Sequence, residues 1–228
     1  MTVPSTSTFN LNFDQLVDAA FARIGGEQTD GYDAMSAERN WQVLQTDWSN
    51  KGIQMWTMEP LTPVALVAGQ IEYDMPSDCV DVSDLSISDS NSDLRMIQIG
   101  RAQYQSISKK TVQGRPNQYL VRRDRSAVTL YLYPVPNARP ATITGWYRRR
   151  MRDITSYQDD LDMPPRYLEA AISGLAYFMG RERAGIDEGK LQRLKSDYEE
   201  ALQSASDADQ DKSDLYIAPD LTCYMGGY

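Results

Sequence analysis

The chain has 228 residues, 41% of them apolar, with a formal net charge of −9 and no histidine. That length suits one well-buried core, or one core with a smaller helical layer attached. Without imidazole the usual general base near neutral pH and a common metal ligand are missing, which disfavours most hydrolytic, transfer and metal-centred mechanisms; carboxylate-only chemistry, which needs just two facing acids, stays formally open among 32 Asp and Glu but gains no support from counting.

The N-terminal stretch MTVPSTSTFNLNF has neither the basic region nor the apolar run of a signal peptide, so the chain is expected to be made in the cytoplasm. Asn12 then stands where a helix cap belongs, with Gln15 three residues on as the partner of a capping box. Phe13, Leu16, Val17, Ala20, Phe21 and Ile24 follow at helical spacing, and Gly25 and Gly26 stop the helix. A second helix is predicted over 33–51, with Ala34, Ala37, Trp41, Leu44 and Trp48 recurring three and four apart and Gly52 as terminator. The two helices should pair as a hairpin. Trp41 and Trp48 lie on the apolar stripe, where aromatic rings pack into a core rather than wait for a ligand.

From residue 55 the helical period gives way to short runs punctuated by Pro, Gly, Asp and Ser, the pattern of an antiparallel β unit. Strands are expected over 57–61, 70–75, 82–87, 94–97, 118–123, 127–133 and 141–148, with a short helix over 101–107. Along 128–133 Val128, Leu130 and Leu132 alternate with Thr129, Tyr131 and Tyr133, and Pro134 and Pro136 end the run. Such a set closes best as a small sandwich or barrel. Helix returns after Asp162-Met163-Pro164-Pro165, where proline is tolerated in a first turn, and Leu168, Ala171, Ile172, Leu175 and Met179 form its buried stripe. A last helix opens near Asp187 and carries Leu191, Leu194, Tyr198, Leu202 and Ala205 on one face and acids on the other.

These elements make an α+β fold: an N-terminal helical hairpin (1–54) and C-terminal helices (153–206) packed with an antiparallel β-sandwich or barrel-like unit (55–152), followed by an extended C-terminal tail (207–228). The tail combines a polar acidic stretch with an apolar-aromatic end carrying Leu215, Tyr216, Ile217, Leu221, Tyr224, Met225 and Tyr228. Idle termini are polar because they bury nothing, so this one is expected to dock, on its own domain or on a partner.

Charge is unevenly spread. Residues 1–90 carry 3 Lys+Arg against 14 Asp+Glu, residues 91–152 carry 13 against 2, and residues 153–228 carry 7 against 16. Three arrangements fit: the basic third folds against its acidic flanks within one subunit, acidic and basic faces of neighbouring copies meet around a ring, or Arg148, Arg149, Arg150 and Arg152 line a channel for DNA through sequence-independent phosphate attraction. A pI near 4.6 argues against a dedicated nucleic-acid-binding protein.

Among chemistry-bearing motifs, no GxxxxGK[ST], GxGxxG, GxSxG or HExxH pattern occurs, so neither a catalytic residue, a cofactor nor a metal is assigned. Asp153, Asp159, Asp160 and Asp162 cluster before the prolines, yet without EF-hand spacing, and read better as a solvated loop with charges at a helix N-terminus. Asp78, Asp81, Asp84 and Asp89 read as strand-end residues. Cys79 and Cys223 stand far apart and suggest neither zinc nor a disulfide framework.

Five stretches in order, FDQLVDAAFARIGG with AERNWQVLQTDWSNKGIQMW, GQIEYDMPSDCVDV, QGRPNQYLVRRDRSAVTLYLYPVPN, GWYRRRMRDI and MPPRYLEAAISGLAYFMGRE, resemble the head-to-tail adaptor family of short-tailed bacteriophages, also called tail tubular or connector proteins. The long β insertion is similar to that of the longer adaptors rather than the compact helical ones. In that family a ring of twelve copies sits beneath the portal, receives the tail nozzle, sends C-terminal segments up to the portal and passes the genome through its lumen without catalysis. The resemblance implies a virion neck component assembled in the host cytoplasm, with no membrane association. It implies as partners its own copies, the portal protein, the nozzle protein and the passing DNA, with the apolar tail as the portal-docking segment and Arg148, Arg149, Arg150 and Arg152 on the channel or the inter-subunit face. A competing reading is a β-domain binding module for carbohydrate or single-stranded nucleic acid through Tyr131, Tyr133, Trp146 and Tyr147 beside the arginines. A carboxylate-based hydrolase is the third.

Overall fold

The structure, a computed structural model, describes residues 11–26, 31–52, 55–89, 92–125, 127–183 and 185–209. Helix α1 (Phe13–Ile24) opens on the expected capping box: the Gln15 N–H donates to Asn12 Oδ1 at 2.9 Å and the Asn12 N–H to Gln15 Oε1 at 3.3 Å. Two donors that no helical carbonyl could reach are thereby satisfied. The helix closes at Gly25, whose φ of 82° is left-handed and whose N–H returns to the Phe21 carbonyl. Helix α2 (Gly31–Lys51) starts two residues before the apolar spacing indicated and ends at Gly52, where φ is 73°.

The chain then runs through β1 (Met58–Pro60), β2 (Val64–Ala65), β3 (Glu72–Asp74), β4 (Cys79–Ser88), β5 (Asp93–Arg95), β6 (Ile97–Gln98), the short helix α3 (Arg101–Ser106), β7 (Gln113–Gly114), β8 (Gln118–Arg123), β9 (Val128–Tyr133), β10 (Val135–Pro136) and β11 (Thr142–Arg149). One sheet has the order β1-β11-β4-β5, with β2 also on β11; a second has the order β3-β9-β8-β6. They face each other as a sandwich, because Tyr73, Val82, Leu85, Ile87, Tyr119, Leu130, Leu132 and Ile143 share one apolar core. The centre is antiparallel, as the sequence pattern indicated. Two short parallel pairs, β6 with β8 and β7 with β10, were not foreseen. The first arises because buried Met96 carries the chain from the edge of one sheet to the edge of the other, so β5 meets β4 antiparallel while β6 meets β8 parallel.

Gly145 keeps β11 in register. The pairing of β11 with β4 shifts between Thr144 and Trp146, two steps on β11 against three on β4, so the extra residue lies on β4 and lets Val82 face the core together with Leu85 and Ile87, while Ile143 and Tyr147 keep the ordinary alternation of β11. A Cβ at Gly145 would stand 2.8 Å from the Asp84 carbonyl oxygen and 2.8 Å from Leu85 Cδ2, at a φ of 157°. Asp84, facing it, itself takes a left-handed φ of 52° and is held by Arg95 at 2.7 Å.

Helices α4 (Leu168–Glu182) and α5 (Glu188–Asp209) return to pack on α1 and α2. Their core is separate from that of the sandwich and holds Phe13, Leu16, Trp41, Leu44, Trp48, Tyr167, Leu175, Leu194 and Tyr198, with Met151, Leu161 and Met163 from the connection after β11. Burying side chains of this size is worth about 1.5–3 kcal/mol each. Trp48 meets the one polar demand of its indole by donating to the Tyr198 hydroxyl at 3.0 Å inside that core. Gly174 lies where a Cβ would come within 2.9 Å of the Tyr198 ring, which lets α4 approach its neighbours closely. The last helix runs to Asp209, beyond the boundary expected at 206, because Asp209 accepts from the Tyr167 hydroxyl at 3.2 Å and pairs with Arg166. No described helix is long and apolar enough to cross a membrane.

Candidate assembly interface

Strand β11 alternates inward and outward, and this alternation separates the arginines that stand together in sequence. Arg149 follows Tyr147 to the inside, only 7% exposed, at the end of the sandwich where the β core stops and Met151 begins the helical core. A buried guanidinium needs carboxylates, and two elements supply them. Asp162, in the turn before α4, takes a two-point contact from Nη1 at 2.5 Å and Nη2 at 3.0 Å, and Glu59 on β1 takes Nε at 2.7 Å. The hydrogen bonds to Asp162 raise the guanidinium's pKa further against the opposing effect of burial, with Glu59 adding to it, so its charge is permanent. Burial by itself would push the Asp162 carboxyl up; the Arg149 bonds, the Arg152 N–H at 2.9 Å and both positive charges outweigh it and hold the pKa below the ordinary carboxylate value.

The same carboxylate residue fastens a second tie. Its backbone carbonyl accepts the Trp56 indole N–H at 2.9 Å, and Trp56 lies 4.5 Å, centroid to centroid, from Tyr167 at the start of α4. Arg149, Asp162 and Trp56 therefore clamp the sandwich to the helical layer. Arg149 is a structural residue of the junction, not part of an exposed basic face.

The remaining arginines of the run stay near the surface. Arg148 is half-buried on the outer side of β11, opposite Asp81, with Nη1 3.9 Å from where a Cβ at Gly52 would sit. Arg150 and Arg152 are exposed. Arg150 donates its backbone N–H to the Asp78 carbonyl at 2.8 Å and lines an open cleft of about 480 Å³ between α2 and the sandwich end, bordered by Gln42, Gln45, Thr46, Ser49, Asn50 and Asp153. The tail residues Leu215, Tyr216, Ile217, Leu221, Tyr224, Met225 and Tyr228 lie outside the described residues.

Several bases of the middle third are neutralised within the subunit. Arg95 pairs with Asp84 at 2.7 Å, Arg123 with Asp81 at 2.5 Å, and Arg115 and Arg139 flank Asp89 at 3.6 and 3.4 Å. Asp89, with a side chain 1% exposed, was read from sequence as an exposed strand-end acid; folding of the 113–116 turn against β4 buries it. Asp159, read as a loop acid, accepts the N–H groups of Thr155 and Ser156 and the Thr155 hydroxyl, and these bonds lower its pKa. Among the described residues no group of three or more Cys, Asp or Glu is arranged to hold a metal ion. Burial, with Asp81 and Asp78 adding to it, pushes the Cys79 thiol up to about 11, so it is a core residue rather than a nucleophile.

The four aromatics of the binding-module reading are not brought together. Tyr131 and Tyr133 stand on the outer face of one sheet, where Arg122 donates to the Tyr131 hydroxyl at 2.9 Å; Trp146 stands outward on the other sheet; Tyr147 is buried in the sandwich core. No single stacking platform results.

The structure is thus a small sandwich clamped to a helical layer by interior ion pairs, with Arg150 and Arg152 exposed at the junction. The chain belongs to the SU10 adaptor protein family, whose model matches residues 11–220 and so takes in every element described above. This agrees with the phage head–tail adaptor class that the sequence resembles. Among curated proteins no match is found.

Proposed function

We propose that the chain is the head-to-tail adaptor of a phage particle, forming a closed ring that joins the portal to the tail nozzle around a channel for the genome. Its role is structural rather than catalytic, and it is assembled into the virion neck in the host cytoplasm. The family match over residues 11–220 carries the reading. The division of labour supports it: α1, α2, α4 and α5 build a helical layer, the strands between them a β unit clamped to it, and residues 210–228 carry the apolar-aromatic docking residues Leu215, Tyr216, Ile217, Leu221, Tyr224, Met225 and Tyr228. Apolar segments can bind a partner by adding to a sheet edge or lying in a groove.

The test is the mass of the purified chain with and without the portal ring, by light scattering at physiological salt. Incorporation into a large complex that requires residues 210–228 is expected. The cut belongs after Asp209, because that carboxylate holds Arg166 and Tyr167 and its loss would confound docking with folding. A full-length chain that ignores the portal, or a truncated one that docks as well as the full chain, refutes the corresponding part of the proposal.

A further inference from the structure

The basic third carries more charge than its own subunit neutralises, and the excess gathers at one place. Two arginine runs separated in sequence, 122–125 and 148–152, meet at the end of the sandwich facing the helical layer. Arg123 reaches Asp81 at 2.5 Å, Asp81 lies opposite Arg148 in the β4–β11 register, and the Arg150 N–H bonds to the Asp78 carbonyl. Arg125 sits at the tip of the β8–β9 hairpin two residues beyond Arg123. Arg125, Arg150 and Arg152 are exposed and make no ion pair among the described residues, and the cleft beside Arg150 is bordered mostly by amides and hydroxyls, with Asp153 as its carboxylate.

The complementary surface is on the same chain. Helix α5 turns Leu194, Tyr198, Leu202 and Ala205 inward and exposes Asp197, Glu199 and Glu200 outward. Within the subunit these acids do not serve the basic third: the partners of Arg95, Arg115, Arg123, Arg139 and Arg149 are Asp84, Asp89, Asp81, Glu59 and Asp162, and the ion pair that Glu199 makes is with Lys195 of its own helix. The outer face of α5 keeps Asp197 and Glu200 outside any ion pair among the described residues, although Glu199 pairs with Lys195, and the rim keeps Arg125, Arg150 and Arg152 so, although Arg123 pairs with Asp81; the two faces are complementary between copies.

We infer that the arginine rim docks on the outer face of α5 in a second copy of this chain, a head-to-tail contact; this rests on the ring reading and names the two faces that would close it. Opposite potentials steer the approach and set the register, and the contact weakens as salt screens it.

The experiment is sedimentation velocity of the full chain at low and high salt, using wild type and two charge-reversed variants, R125E/R150E/R152E and D197R/E199R/E200R. All six positions are exposed, so circular dichroism and thermal melts should match wild type. Wild type is expected to assemble at low salt, with each variant associating about a hundredfold more weakly through like-charge repulsion. An equimolar mixture of the two variants should regain association, because each supplies the face the other has lost. Variants that assemble alone as well as wild type, or a mixture no better than its parts, overturn the inference while leaving portal docking untouched. A wild-type chain that stays monomeric at low salt also overturns it, and the portal experiment then judges the adaptor reading separately. If the arginine variant assembles normally but loses salt-sensitive binding to a duplex DNA oligomer, the rim serves DNA and the inference fails.

Discussion

Replacing Arg149 with methionine should unfasten the junction between the two cores. The Arg149 side chain is 9% exposed and that of Asp162 19%, so removing the cation strands a carboxylate in a partly dry site. Breaking one half of a buried pair costs about 3–5 kcal/mol. Asp162 keeps the Arg152 N–H, and Glu59, with 41% of its side chain exposed, is rehydrated at little cost; together these bring the expected loss to about 2–4 kcal/mol at pH 7. The pH dependence has a defined sign. Asp162 is held below its unfolded value in the native protein, so its contribution is present above the ordinary carboxylate range and fades as pH falls through the lowered native value. The gap between R149M and wild type should therefore be widest near neutrality and narrow below about pH 4. Arg149→Lys keeps the charge but not the two-point contact and should fall between them. Urea unfolding followed by circular dichroism, with tryptophan fluorescence reporting Trp56 beside Asp162, measures all three. A loss under about 1 kcal/mol at pH 7, or a gap that does not narrow as pH falls from about 4 through the lowered native value, would refute the clamp.

Gly145→Val should cost about 3 kcal/mol or more, because its Cβ would contact the Asp84 carbonyl oxygen and Leu85 at 2.8 Å; an undiminished melting temperature would show that the bulge absorbs a side chain. Trp48→Phe and Tyr198→Phe should each lose about 1–3 kcal/mol, Tyr198→Phe the more because it leaves the Trp48 N–H unpartnered in the core while the Tyr198 hydroxyl keeps Asp47 at 3.3 Å in Trp48→Phe, and the double variant should lose clearly less than their sum, since the shared bond is counted in both. Additive losses in denaturant titrations would mean the 3.0 Å bond contributes nothing.

Chain-local physics explains what was legible without coordinates. The Asn12–Gln15 cap, the stops at Gly25 and Gly52, the apolar stripes of α1, α2, α4 and α5 and the alternation in β9 depend on residues within a turn or two of each other, and spacing alone exposes them. So does the uneven charge, and the order of five local stretches was enough to carry the family resemblance. Long-range pairing carries no such signature. Nothing near Arg149 in sequence says that one arginine of RRRMR turns inward to meet Glu59, 90 positions earlier, while Arg150 stays in water; the parity of β11 and the elements that its inner face meets decide that. Burial of Asp89 between Arg115 and Arg139, the parallel pairs at the sheet margins and the splitting of Tyr131, Tyr133, Trp146 and Tyr147 over different faces have the same origin. The sequence by itself determined where helices and strands form and where charge accumulates, because those follow from neighbours along the chain. Only the tertiary structure decided which charges cancel inside the subunit and which remain exposed, because that depends on which distant strands come to lie side by side.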